Sequence, residues 1–144
     1  MSLIVDASVA MKWLVDEAGS DAALRLRKCD LAAPTLLRIE VANVLWALAA
    51  NGAMRAGMSK ELFALFLRAP MELVEPDDTL EARALGLALE IGRPVGDCVY
   101  LALAERLGTR LITADQGFLD ALGACGHRGR AVDLETWGAA CAPD

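Results

Sequence analysis

Short, unbroken apolar runs alternate with longer segments of helical period along this chain. Leu3-Ile4-Val5 has no polar residue within it, the pattern of a strand buried on both faces. Asp6 closes that run, and Ala7 to Val15 continues with Val9, Trp13 and Leu14 at helical spacing. Ser20 to Lys28 predicts a second helix with Ala23, Leu24 and Leu26 inward. Leu31-Ala32-Ala33 predicts a brief strand stopped by Pro34. Thr35 then opens a long helix in which Leu37, Val41, Val44, Leu45 and Leu48 keep the 3.6-residue period. Asn51-Gly52 suits its left-handed cap.

Ser59 to Leu67 reads as a helix capped by Ser59 and stopped near Pro70, and Met71 to Val74 as a strand. Thr79 to Ile91 is predicted helical after the turn-forming Pro76-Asp77-Asp78, and it ends at Gly92. Gly96-Asp97 introduces a helix over Cys98 to Leu107. Arg110 to Thr113 is a strand, Asp115 to Leu122 a short helix, and Ala131 to Asp133 the last strand. Strands separated by helices imply βαβ units, hence an α/β fold with a parallel sheet covered on both faces. No linker, repeat or low-complexity tract divides residues 1–144, so one domain is expected.

Composition narrows the class. A chain of 144 residues with 56% hydrophobic content can build a packed core, which excludes disorder driven by low hydrophobicity. No apolar run is longer than Val44 to Ala50, which is far short of the roughly 18 residues needed to span a bilayer. Asp6 and Lys12 interrupt the start, and no basic region precedes it as in a secretory signal. A soluble, cytoplasmic protein without membrane contact is expected. Cys29, Cys98, Cys125 and Cys141 show no CxxC spacing and His127 is the single histidine, so a zinc site is excluded and reduced thiols are expected.

The net charge of −6 arises wholly in residues 73–144, which hold 6 basic and 12 acidic residues against 8 and 8 in the first half. That balance lacks the basic footprint of a generic DNA-binding module. It does not exclude a nucleic-acid enzyme, because divalent cations held by carboxylates can reverse the local field. Only local clusters such as Arg128 and Arg130 could then meet phosphate directly.

Functional groups of open α/β sheets collect at the carboxyl ends of strands. Asp6 follows the first strand, Asp115 follows Leu111-Ile112-Thr113, and Asp97 sits where a helix starts. Glu40 lies within a helix whose neighbours three and four residues away are Leu36, Leu37, Asn43 and Val44. A carboxylate on such a surface is costly to bury unpaired, and no Lys or Arg stands at those spacings. A cation held jointly with other acids would satisfy it. Each acid also has a plain structural role open to it: Asp6, Asp97 and Asp115 as helix N-caps, Glu40 as a solvent-facing residue at the edge of its stripe.

Four segments in order resemble the PIN domain family, particularly its small VapC-type toxins. They are Ile4-Val5-Asp6-Ala7-Ser8-Val9-Ala10, Ile39-Glu40-Val41-Ala42-Asn43, Gly96-Asp97-Cys98-Val99-Tyr100-Leu101-Ala102-Leu103-Ala104 and Thr113-Ala114-Asp115-Gln116-Gly117-Phe118. The resemblance implies a three-layer α/β/α fold and cleavage of single-stranded RNA. It implies that Asp6, Glu40, Asp97 and Asp115 are the catalytic acids binding Mg²⁺ or Mn²⁺. Ser8, Asn43 and Thr113 match polar positions expected to support those acids or the attacking water. It also implies a homodimer and a cognate antitoxin protein that blocks the site. Gly96 departs from the pattern, standing where a bulkier residue often precedes the acid, and the residues from Cys125 onward carry little of the resemblance.

The chemistry agrees with that reading. Magnesium prefers oxygen ligands and retains waters, so a few carboxylates suffice. Hydrolysis by metal-activated water needs no nucleophilic side chain or histidine base and leaves a 5′-phosphate and a 3′-hydroxyl. Attack by the RNA's own 2′-hydroxyl calls for a general base and acid that this chain does not offer. A receiver domain needs a lysine late in the sheet, whereas the lysines are Lys12, Lys28 and Lys60. A haloacid-dehalogenase-type phosphatase needs a second Asp where Ser8 stands. A nucleotide-binding module shows a glycine-rich loop after its first strand, which Asp6-Ala7-Ser8-Val9 is not. The competing reading is a non-catalytic PIN-like RNA-binding or scaffold protein.

Overall fold

Five short strands make one parallel sheet in the computed structural model, which describes residues 2–141. In chain order the elements are β1 (Leu3–Val5), α1 (Ala7–Leu14), α2 (Ser20–Leu26), β2 (Leu31–Pro34), α3 (Leu36–Ala50), α4 (Ala56–Phe66) and β3 (Glu72–Val74). There follow α5 (Asp78–Ile91), α6 (Val95–Leu107), β4 (Leu111–Thr113), α7 (Gln116–Ala124), a 3₁₀ turn (Arg128–Arg130), β5 (Ala131–Asp133) and α8 (Leu134–Ala140). The strand order is β3-β2-β1-β4-β5, and every neighbouring pair is parallel. From β1 the chain steps outward through β2 to β3, then crosses back to β4 and β5. Right-handed crossovers in opposite directions put their helices on opposite faces, which yields the three α/β/α layers.

The strands are apolar because both faces are covered. Ile4, Val5, Ala32, Ala33 and Ile112 are fully buried. On one face α2 packs against α1 and α8; on the other, α6 lies against β1, β2 and β4 and is backed by α5. The middle of α6 is therefore enclosed all round, and Cys98 through Ala104 are all buried. Each large side chain so buried contributes about 1.5–3 kcal/mol, which holds this helix firmly on the sheet. Among the described residues no helix is long and apolar enough to cross a membrane.

Several element boundaries differ from the sequence reading. Pro34 belongs to β2, its Cα paired with Val74, and not to the stop; β2 pairs with β3 at its end, and the Thr35 amide that follows donates to the Val74 carbonyl. α4 begins at Ala56, so Ser59 is not its cap; the Ser59 hydroxyl donates to the Leu45 carbonyl and ties α4 to α3. α6 begins at Val95 after Pro94, because a proline before the first turn needs no amide partner there. The sequence reading ends at β5, and α8 extends the fold beyond it; contacts with α2 and the sheet hold this seven-residue helix, which is too short to be stable alone.

Candidate active site

The order β3-β2-β1-β4-β5 reverses direction between β1 and β4, and a crevice opens beyond their carboxyl ends. Asp6 and Asp115 stand there, each in the loop that turns from a strand into a helix. Both are N-caps: Asp6 Oδ1 accepts from the Val9 amide at 3.3 Å, and Asp115 Oδ1 from the Phe118 amide at 3.0 Å. The cap role and a role in the cleft therefore coincide at these two residues, since a cap needs only one oxygen.

Asp97 is different. It lies inside the first turn of α6, beyond the cap, and its carboxylate caps nothing; its backbone amide bonds to the Pro94 carbonyl. Glu40 reaches the same place from α3. Together Asp6, Glu40, Asp97 and Asp115 line one cleft of about 150 Å³, with Ser8, Tyr100 and Phe118. A larger hollow of about 410 Å³ lies at the opposite edge of the sheet, beside Arg130 and His127, and holds none of the four acids.

Asp6 is fixed by neutral donors. The Ser8 hydroxyl donates to Oδ1 at 2.5 Å and the Thr113 hydroxyl to Oδ2 at 2.5 Å. Ser8 in turn accepts from the Ala114 amide at 2.9 Å, and fully buried Thr113 accepts from the Asp115 amide at 3.2 Å. The β1 and β4 ends are thereby linked through one carboxylate. Asn43 is exposed on α3 and does not line the cleft.

Glu40 receives a short hydrogen bond from the Tyr100 hydroxyl. Tyr100 stands three residues after Asp97 on α6, so the two share a helix face. The sequence reading sought a cation for Glu40; its partner here is a phenol. Burial pushes Asp6, Glu40 and Asp97 above the ordinary carboxylate range. Their hydrogen bonds and Arg93 oppose that shift, and neighbouring acids reinforce it: Asp115 for Asp6 and Asp97, Asp97 and Asp6 for Glu40. Tyr100 is likewise raised, chiefly by burial and then by the hydrogen bond it donates to the Glu40 carboxylate.

Arg93 was missed by sequence reasoning. Its Nη2 lies 2.8 Å from Asp115 Oδ2 and 3.2 Å from Asp97 Oδ2, and its guanidinium sits over the Phe118 ring at 5.5 Å. The available signal was the four-residue spacing from Arg93 to Asp97 across Pro94. Arg128 and Arg130, the arginines singled out earlier, precede β5 and so stand at the far, amino-terminal edge of the sheet. There they donate to the Ala131 and Thr109 carbonyls.

The PIN domain family matches residues 3–122, a span that includes all four acids. The chain belongs to that family. This PIN domain is 36% identical over 127 residues to Ribonuclease VapC3 of Pyrobaculum aerophilum, covering 81% of this chain and 91% of that protein. That identity puts it within the VapC ribonuclease family. The crystal structure of PAE2754 from the same organism superposes with a TM-score of 0.74 at 25% identity, over 97% of this chain and 96% of that one. A toxin–antitoxin complex from Klebsiella pneumoniae gives 0.66 at 14% identity, over 92% and 98%.

The donor set of the cleft suits a hard divalent ion, being carboxylate oxygen throughout. Among the described residues no three such side chains are drawn into a ready metal cage. Like charges repel, and Arg93 already neutralises part of the cluster. A cation that keeps several of its own waters does not need every acid in direct contact.

Proposed function

We propose that this PIN domain is a divalent-metal-dependent endoribonuclease that hydrolyses single-stranded RNA, and the toxin of a toxin–antitoxin pair. The observation that carries the reading is the convergence of four acids from four separate segments on one cleft at the switch point of the sheet. Asp6, Glu40, Asp97 and Asp115 would hold Mg²⁺ or Mn²⁺, and the ion would supply an activated water and neutralise the scissile phosphate. The chain's own contribution is placement. Ser8 and Thr113 fix both oxygens of Asp6, Tyr100 orients Glu40, and the enclosed helix α6 holds Asp97 in register with them.

The test is cleavage of a single-stranded RNA oligonucleotide with Mg²⁺, Mn²⁺ or EDTA. Metal-dependent products bearing a 5′-phosphate and a 3′-hydroxyl are expected. RNA that binds yet stays intact with either metal would favour a scaffold role instead.

Kinship with Ribonuclease VapC3, and likeness in fold to a chain of a toxin–antitoxin complex, support an antitoxin partner. An arginine from that partner would suit the cleft, because guanidinium pairs with carboxylate in a fork geometry. A homodimer is proposed through α4. That helix turns Phe66 inward and leaves Leu65, together with Leu67 just beyond its end, about half exposed. Sedimentation at micromolar concentration checks it, and a purely monomeric species would reject it.

A further inference from the structure

Arg93 is bound in a way that leaves its guanidinium incompletely used. Both carboxylate contacts run through one nitrogen, Nη2. Its neighbour on the same edge of the fork, Nε, is buried without a hydrogen-bond partner among the described residues. An arginine that recognises one anion well offers Nε and Nη2, or both terminal nitrogens, as parallel donors. A buried donor without a partner is costly, and such groups in native proteins call for an explanation. Charge supplies one. Asp97 and Asp115 hold the side chain by attraction, and the hold lasts only while their negative charge is not neutralised by something else.

The surroundings permit movement. The side chain is 27% exposed, at the rim of the cleft. It rests on the flat face of Phe118, along which a guanidinium can slide while keeping its cation–π attraction. Nη1 lies 3.3 Å from the point where a Cβ on Gly117 would stand, so the absence of a side chain at 117 leaves it room. Among the described residues it is also the arginine paired with these acids, in a cleft whose four carboxylates would otherwise repel a phosphate backbone.

We propose that Arg93 is a resident cation of this cleft, displaced from Asp97 and Asp115 by the divalent ion and then taking a phosphate of the bound RNA strand. The proposal rests on the metal-dependent, RNA-cleaving reading above. It assigns Arg93 to substrate binding beside the reacting phosphate, and it makes metal binding and RNA binding depend on the same side chain with opposite signs. Removing the guanidinium frees two carboxylates for the metal and deprives the RNA of a donor.

Mn²⁺ alone is titrated calorimetrically into the parent, Arg93→Gln and Arg93→Lys at one pH, and each is assayed on a single-stranded RNA oligonucleotide at saturating Mn²⁺. Arg93→Gln should bind Mn²⁺ at least about fivefold more tightly, the effect of one unit charge a few ångströms away even at high dielectric. Its KM for RNA should rise roughly ten- to a hundredfold, the worth of a charged hydrogen bond, with kcat nearly unchanged. Arg93→Lys keeps the charge without the fork and should bind metal like the parent, with a KM between the two. Arg93→Gln binding Mn²⁺ no more tightly than the parent, or keeping the parent's KM, would overturn the proposal while leaving the nuclease reading intact. A parent that neither binds Mn²⁺ nor cleaves RNA would overturn both.

Discussion

The two sides of the cleft are organised by different physics. On the sheet side, Asp6 is held by two hydroxyls and a backbone amide, and these partners are themselves fixed by the amides of Ala114 and Asp115. Neutral donors orient a carboxylate without cancelling its charge, so this side is preorganised and stays anionic. On the helix side, Asp97 and Asp115 face Arg93, a full positive charge on a long side chain. That arrangement is exchangeable, because one cation can replace another. On the proposed metal-dependent reading, a site that must hold its shape and still admit a metal needs both kinds of contact.

Substitution by Asn separates the two sides most strongly. Asp6→Asn and Asp97→Asn should each lower RNA cleavage by at least about a hundredfold, since loss of a ligand should exceed the 10–100-fold typical of outer-shell changes. Their effects on the metal-free fold should differ. In Asp6→Asn an amide NH₂ meets the hydroxyl of Ser8 or Thr113, which must turn its proton elsewhere, so thermal stability falls. Asp97 caps nothing and its carboxylate is penalised by burial, so Asp97→Asn should melt at the parent's temperature or above it. Thermal melts in EDTA beside the cleavage assay decide this. Full metal-dependent cleavage by folded Asp97→Asn would remove Asp97 from the catalytic set.

The pH dependence of metal-free stability tests the same contrast over the whole cluster. Asp6, Glu40 and Asp97 are raised in the folded state, so between the unfolded value near 3.8–4.5 and their folded values the native protein holds more protons than the unfolded chain. Stability must then fall as pH rises through that window. Asp77 and Glu105 have the opposite sign, being lowered by Arg106 and Arg83, and their contribution is lost as pH falls through their folded values. In EDTA the melting temperature should therefore pass through a maximum on the acid side of neutrality, rising as pH falls into the window of the three raised acids and declining below the folded values of Asp77 and Glu105. Added Mn²⁺ should reverse the upper part of that trend, because binding favours the ionised acids. A melting temperature that climbs steadily from pH 5 to 7 without metal would show that burial does not govern these acids.

The acids that follow strands were far more legible in the sequence than those carried on helices. Leu3-Ile4-Val5 and Leu111-Ile112-Thr113 are unbroken apolar runs, and a parallel sheet puts the residues after them at one edge whatever the loop details. Asp6 and Asp115 follow directly. Asp97 at a helix start and Glu40 on an apolar helix surface were weaker signals, because a helix tolerates acids on any face, and the family resemblance strengthened them. Arg93 stayed hidden because Ile91-Gly92-Arg93-Pro94 reads as a helix stop and a turn, where a charged residue needs no explanation. Its place beside the acids appears only when the connection from α5 to α6 delivers it beside Asp115, 22 residues away in sequence. Arg128 and Arg130 misled for the converse reason: two arginines close together resemble a phosphate site until the strand direction puts them at the wrong edge.

The smallest expected effect concerns the turn that carries Asp97. Gly96 is the second residue of α6, and it is not among the glycines of positive φ, so its backbone suits any residue. A Cβ there would stand 3.6 Å from Glu40 Oε2 and 3.9 Å from Leu36 Cδ2, which is ordinary contact. An alanine at this position therefore fits without rearrangement. Gly96→Ala removes the entropic cost of glycine in a helix, about 0.5–1 kcal/mol, and should raise the melting temperature by roughly 2–4 °C. It should leave cleavage within about twofold of the parent, because Asp97 and Glu40 keep their positions and an effect of that size lies below the loss of any single hydrogen bond. The added methyl takes a little water from Glu40, whose protonation is already favoured by burial, so any loss of activity should appear first at low pH. A lower melting temperature would mean that the first turn of α6 is held by something a methyl disturbs. In that case the helix side would be as tightly fixed as the sheet side, and the contrast between them would fail.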